Sequence, residues 1–307
     1  MRVSTAQIHN NQTQHMSRMT AQLNKIQEQI ASGKKINRPS DDPRGYANIT
    51  SLKSQIAKND QYNKNIDSSV RRLNLQENTL KSVFQNTLNL KDIANTSTNP
   101  TLSNSELKTM ANEVDGILNQ LLSSMNTQDY QGEYLFSGHQ GNTTPYSFDN
   151  NKYVFNGDQG TRSVPISDNH VIQATDSGLS LFLTDDDNIL NIALELKESL
   201  QTVDMNSPAS RNDFYSNMNQ LLTKLDNSVD SLNQGQGRVG HRITILEQQK
   251  EANNELNLMT KSTLSMIEDT SYEEAISQFM LQKTALEAAF ATFSKTSELS
   301  LFNFLRG

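Results

Sequence analysis

The side chains that could do chemistry are few and scattered. Five histidines, His9, His15, His139, His170 and His241, form no HxxxH or HExxH pair, the spacing that sets two imidazoles on one helix face as metal ligands. Asp185-Asp186-Asp187-Asn188 concentrates carboxylates, but consecutive side chains point apart and the alternating ligands of a calcium loop are missing. The run is expected to cap a helix through Ile189, Ile192, Leu196 and Leu200, with its charge at the positive end of the dipole. Gly235-Gln236-Gly237-Arg238-Val239-Gly240 looks like a glycine-rich phosphate loop, yet no strand precedes it and it lacks a Lys-Ser/Thr pair. It is expected to be a flexible joint between two helices. The absence of Cys removes thiol nucleophiles, disulfides, zinc–thiolate sites and Fe–S clusters. No Ser/His/Asp set can be argued from spacing. No catalytic residue, metal ligand or cofactor is expected.

With no reaction to position, the elements must serve something else. The 307 residues carry a net charge of −7, with 34% hydrophobic and 20% charged residues. Ordinary globular chains are about 45–50% apolar, so one thick core is disfavoured. The modest charge equally disfavours charge-driven disorder. Long helices with narrow apolar seams fit better. Six prolines, Pro39, Pro43, Pro100, Pro145, Pro165 and Pro208, leave long Pro-free stretches where such helices can run. Met16, Met19, Leu23, Ile26 and Ile30 follow a 3-4-3-4 coiled-coil spacing. Leu107, Met110, Val114, Ile117 and Leu121 repeat it behind a capping box at Ser103 and Glu106. Phe214, Met218, Leu221, Leu225 and Leu232 continue it, with Ser207 as N-cap and Pro208 in the first turn. Ile276, Phe279, Leu286, Phe290 and Phe293 keep one register after a second box at Ser271 and Glu274, with Lys283 off-pattern.

The middle differs. Tyr134–Phe136, Tyr153–Phe155, Val164–Ile166 and Val171–Ala174 read as short strands, with turns at Asn156-Gly157 and Asp149-Asn150-Asn151. Residues 134–187 carry two basic residues and seven Asp, a net of −5. Residues 1–40 carry a net of +5, with Glu28 the one acid. That basic run reads as a solvated helix face, and no aromatic residue interleaves it to stack bases, so no nucleic-acid partner is expected. No apolar run reaches the roughly 18 residues of a membrane span. The polar opening Met1–Gln7 lacks the apolar core of a secretory signal. The apolar seams at both termini and the tail Leu301, Phe302, Phe304 and Leu305 are expected to pair with each other or with neighbouring subunits.

Two segments then carry a resemblance. Ala31-Ser32-Gly33-Lys34-Lys35-Ile36-Asn37-Arg38-Pro39-Ser40-Asp41-Asp42-Pro43 resembles the N-terminal signature of the flagellin family. Ser265-Met266-Ile267-Glu268-Asp269, with Tyr272, Glu274 and Ala275, is similar to its C-terminal motif. The Arg38–Pro43 form, the ending Ser300–Leu305, and the Tyr134–Gly138 and Tyr153–Gly160 segments resemble the hook-associated branch more than filament flagellin. Two positions depart from the family pattern: Thr270-Ser271 after the C-terminal motif, and Tyr46 where a small residue is usual.

The resemblance implies a mainly α fold, with long antiparallel coiled-coil helices from both termini and a small central β-rich insertion. Its divisions would be 1–40, an axial-core helix mobile in the free subunit; 41–133, the N-terminal helical arm; 134–187, the outer insertion; 188–282, the C-terminal arm; and 283–307, a second axial-core helix, also mobile when free. It implies a structural role in the flagellum and head-to-tail contact between copies. Met16, Met19, Leu23, Ile26, Ile30, Phe279, Leu286, Phe290, Phe293 and the tail would make those contacts. The other partners implied are the proximal hook-associated protein, flagellin and a cytoplasmic export chaperone. Filament flagellin and the proximal hook-associated protein are the readings within the class. A soluble coiled-coil enzyme or signalling protein is the reading outside it, and would need a catalytic or sensory cluster that the sequence does not supply.

Overall fold

The computed structural model describes residues 2–182 and 187–305, with side chains described for Gln7, His9 to Phe182 and Asp187 to Thr296. The chain forms two compact units: Met1–Lys58 with Glu255–Gly307, and Asn59–Asn254. Its elements in order are α1 (Arg2–Ser32), α2 (Pro43–Ser97), α3 (Asn104–Met125), β1 (Tyr146–Asp149), β2 (Lys152–Phe155), β3 (Ser163–Pro165), β4 (Val171–Gln173), α4 (Gly178–Leu181), α5 (Ile189–Thr202), α6 (Pro208–Glu268) and α7 (Tyr272–Leu305). The fold is mainly α with a small β-rich insertion, as the sequence implied.

The larger unit holds the hydrophobic core. On α2, Ile66, Leu73 and Leu80 are buried at seven-residue intervals, as are Val83 and Leu90. On α6, Met218, Leu225, Leu232, Val239 and Leu246 do the same. A strict seven-residue repeat keeps one stripe facing one partner helix. The two helices run antiparallel, since Lys91 pairs with Asp226 at 2.5 Å and Lys250 with Asp67 at 2.6 Å. Helices α3 and α5 pack as a second pair against this core. Helix α3 begins where the capping box requires: the Glu106 N–H donates to Ser103 Oγ at 3.3 Å, and the Ser103 N–H to Glu106 Oε2 at 2.7 Å.

Between α3 and α5 in the chain lies the insertion, with two separate antiparallel hairpins, β1–β2 and β3–β4. The turn of the first is Asn150-Asn151, both at positive φ (49° and 65°), the conformation of a two-residue type I′ turn. A buried polar triad ties the end of the insertion to the long helices. Asp176, just after β4, accepts from Gln76 Nε2 of α2 at 2.6 Å and from the guanidinium of Arg242 on α6. Arg242 Nη1 also donates to the carbonyl of Gln173 at 3.3 Å. The Asp176 carboxylate and Arg242 guanidinium are thus buried only as partners, the condition under which buried charge is tolerated.

Several expectations need correction. Residues 235–240 are no joint: they lie inside α6, because Leu232, Val239 and Leu246 continue the buried stripe across the glycines. Gly235 is there for space, since a Cβ would lie 2.7 Å from Leu181 Cδ2. Asn156-Gly157 is not the hairpin turn, which falls at Asn150-Asn151. Tyr134–Phe136 forms no strand; Tyr134 makes an isolated bridge to Gln128. The Asp185–Asn188 run does cap α5, through its last member: Asn188 accepts from the Asn191 N–H at 2.9 Å, while Asp187 pairs with Lys224, and Asp185 and Asp186 lie outside the described residues. The Ser271–Glu274 box does not form, and Glu274 Oε1 accepts from Gln278 at 3.2 Å.

The smaller unit is apolar in a different way. Its buried hydrophobics among the described residues are Ile26, Ile36, Ile49 and Ala275 alone. Replacing Leu73, fully buried, with Ala is expected to cost about 2–5 kcal/mol in chemical denaturation. Leu258→Ala, at a site 73% exposed, is expected to change stability by less than about 0.5 kcal/mol. Comparable losses at the two positions would contradict this division of the core.

Candidate assembly interface

The segment from Ser32 to Pro43 links α1 to α2 by a chain of local bonds, each needing its own residue type. Gly33 ends α1 with φ +71°, the left-handed conformation that glycine adopts without a Cβ penalty, and a Cβ there would sit 3.0 Å from the Tyr272 hydroxyl. Ser32 Oγ accepts from the Lys34 N–H at 3.2 Å. Pro39 takes the second position of a turn closed by the Asp41 N–H on the Arg38 carbonyl at 3.0 Å. Asp41 Oδ2 accepts from the backbone N–H of Asn37 at 3.2 Å and of Arg38 at 3.0 Å, while Oδ1 meets Lys25 Nζ at 3.0 Å. The Lys25 ammonium and then the Arg38 N–H hold the Asp41 carboxyl below its ordinary pKa. Asp42 Oδ1 accepts from the N–H groups of Arg44 and Gly45 at 3.1 and 3.0 Å, capping α2 ahead of Pro43. Arg38 pairs with Glu28 at 3.0 Å, and Ser40 and Tyr46 lie on the surface. Tyr46 therefore meets no packing restriction.

This loop is stitched to the α6–α7 connection. The Lys35 N–H donates to the Glu268 carbonyl at 2.7 Å and the Thr270 N–H to the Gly33 carbonyl at 3.0 Å, around an antiparallel bridge between Lys34 and Asp269. Beneath it the buried carboxylate of Glu268 takes two ammonium groups on one oxygen, Lys34 Nζ and Lys53 Nζ, both 2.8 Å from Oε1. Burial pushes the Glu268 pKa up, but the two lysines outweigh it and hold the group below its ordinary value. The same bond to Glu268 raises Lys34. Asp269 accepts from Ser265 Oγ at 2.5 Å.

From this bridge α1 and α7 run side by side and antiparallel. At the far end the rings of His9 and Phe293 lie 4.7 Å apart. Met16, Met19, Leu23 and Ile30 are half-buried and Ile26 is buried, so the seam of α1 is as the spacing predicted. On α7, Ala275, Phe279, Gln282, Leu286, Ala289 and Phe293 are shielded, again in 4-3 steps, with Ala285 half-buried beside them. Ile276 and Phe290 stand outside that seam, 47% and 52% exposed. Ile267 is half-buried. The side chains of Leu301, Phe302, Phe304 and Leu305 lie outside the described residues.

The sequence did not reveal how much apolar surface this leaves open. Of the thirteen large hydrophobic residues exposed among the described residues, ten belong to the smaller unit, among them Leu258, Met259, Met266, Met280 and Leu281. Patches of this kind mark sites of protein association. Among the described residues no three His, Asp or Glu side chains converge as metal ligands, and no helix is long and apolar enough to cross a membrane.

The bacterial flagellin N-terminal helical region matches residues 3–141. End to end, the chain is 26% identical to flagellar hook-associated protein 3 of Escherichia coli (strain K12), over 98% of this chain and 99% of that protein. It is 23% identical to flagellar hook-associated protein 3 of Salmonella typhimurium (strain LT2), over the whole of both. The likeness to flagellar hook-associated proteins thus runs the whole length of the chain. Among solved structures, the fold matches a flagellar hook-associated protein-3 from Legionella pneumophila with a TM-score of 0.67 at 19% identity, covering 71% of this chain and 98% of that one. Bacillus cereus FlgL matches with a TM-score of 0.57 at 21% identity, covering 69% and 97%.

Both signature motifs converge on the Gly33–Lys35/Glu268–Thr270 bridge, so its stability should follow the charge of Glu268. A carboxyl whose pKa is lowered on folding contributes fully above its ordinary value and loses that contribution as pH falls through the folded value. The protection factors of the Lys35 and Thr270 amides in hydrogen exchange are expected to be constant near neutrality and to drop below the ordinary carboxylate range. Glu268→Gln should lower them already at neutral pH and flatten the acid limb. An unchanged profile in that variant would contradict the assignment.

Proposed function

We propose that the protein is the structural adapter at the distal hook–filament junction of the bacterial flagellum. The observation that carries this reading is the end-to-end likeness to two proteins known as flagellar hook-associated protein 3. The open apolar surface of the terminal unit supports it, because a subunit that must join a tube keeps contacts that do not close within itself. In this reading copies pack head-to-tail through α1 and α7. One side of the ring of copies receives the proximal hook-associated protein and the other receives flagellin. The acidic insertion faces outward. The subunit leaves the cell through the flagellar export channel without a cleaved signal, with a cytoplasmic chaperone covering its apolar C-terminal end beforehand. It carries no catalytic role.

A labelled copy in motile cells is expected to give a single band at the end of the hook; label along the whole filament would assign the chain to the filament instead. The tail offers a sharper test. Burying each of Leu301, Phe302, Phe304 and Leu305 is worth about 1.5–3 kcal/mol, enough together to decide assembly. Changing all four to Ser is expected to leave the 59–254 unit folded, to abolish incorporation, to weaken chaperone binding, and to leave cells shedding flagellin. Normal filaments from this variant would remove the tail from the assembly contact.

A further inference from the structure

Nine of the ten methionines lie among the described residues, and they divide sharply by environment. Met125 and Met218 are fully buried in the core of the larger unit, and Met110 and Met205 pack against that core. Met16 and Met19 sit half-buried in the α1 seam. Met259, Met266 and Met280 stand on the terminal unit with 62%, 81% and 58% of their surface exposed. Met259 and Met266 are seven residues apart on α6, which places them on one helix face, two turns from each other. Leu258, Ile276 and Leu281 of the same unit are exposed as well. Among the described residues the chain thus presents its accessible thioethers on the surface read above as the assembly contact.

We infer that Met259, Met266 and Met280 are oxidation sites that switch off the assembly surface of the unassembled subunit. The co-reactant is a two-electron oxygen donor of the peroxide class. The thioether sulfur attacks a peroxide oxygen, the O–O bond breaks, an S–O bond forms, and hydrogen peroxide is reduced to water while the sulfur is oxidised to the sulfoxide. The product is polar and chiral where an adaptable apolar side chain stood, and such a change disrupts methionine-rich interfaces. A sulfoxide at these positions leaves the folded unit nearly unchanged, because the side chains pack against little of it. It matters only where a neighbour would cover them. The modification is reversible by methionine sulfoxide reductases, so the state lost to oxidation can be restored.

The assignment of sites stands on exposure alone; the consequence rests on the reading of this surface as the assembly contact, and two readouts keep them apart. The intact full-length chain is treated with hydrogen peroxide and mapped by peptide mass spectrometry. Sulfoxide is expected to form at Met266 at least about tenfold faster than at Met125 or Met218, with Met259 and Met280 close behind Met266. Equal rates across these positions would overturn the site assignment, whatever the surface does. The treated chain is then offered to cells lacking their own copy, or to hooks in vitro, and incorporation is counted. It is expected to fall at least about tenfold and to return after reductase treatment. In the triple variant Met259→Leu, Met266→Leu, Met280→Leu, peroxide treatment should leave incorporation at that variant's own untreated level. Selective oxidation with undiminished incorporation would overturn the switch. A variant that remained as peroxide-sensitive as the parent would place the lesion elsewhere and overturn it too.

Discussion

One helix cannot cover another that is apolar around most of its circumference. That constraint shapes the terminal unit. Helix α1 offers a narrow seam from Met16 to Ile30, and α7 answers it with Phe279, Leu286 and Phe293. Ile276, Met280, Leu281 and Phe290 are left on the other sides of α7 with no described element over them. In the larger unit the same economy gives the opposite result. There α2 and α6 each present one heptad stripe, the stripes face each other, and α3 and α5 close the remaining side. A chain with this few apolar residues can complete one core, and it completes the one that does not need a neighbour.

What holds the open unit in register is polar. The loop after Gly33 and the α6–α7 connection meet through two backbone bonds and one carboxylate with two lysines. Both family signatures map onto this bridge and its flanking turn. Their residue types are those a turn closed by proline, an aspartate cap and a positive-φ glycine require. The signatures are therefore legible as geometry: they fix where α1 ends relative to the start of α7, so that the seam between them forms and the remaining apolar faces are presented as a set.

Much of this could be read from the residues. The 3-4 spacing gave α1, α3 and the first half of α6, because a seam facing a single partner leaves an unambiguous period. The Ser103–Glu106 box marked its helix because both partners are local. The failures are tertiary in origin. Glycines at 235–240 suggested a joint, but Val239 and Leu246 carry the helix through, and Gly235 answers to Leu181, which lies 54 residues earlier in the chain. Lys34, Lys53 and Glu268 come from three distant places, and spacing alone could not bring them together. Polar core positions such as Gln76 and Arg242 hide in a heptad scan, since only Asp176 explains them. Ile276 and Phe290 matched the period of α7 yet fall outside its seam, because a helix this apolar offers more than one register.

If the apolar surface of the terminal unit is covered on assembly and the larger unit's surface is not, the two differ in their accessibility to a thiol reagent. The absence of native Cys makes a direct measurement available. Single substitutions Met266→Cys and Tyr130→Cys place one thiol on each unit at positions 81% and 64% exposed. Both should react with a maleimide in the free subunit. In isolated flagella the thiol of Met266→Cys should be protected while that of Tyr130→Cys reacts as before. Equal labelling of the two positions in flagella would contradict the account.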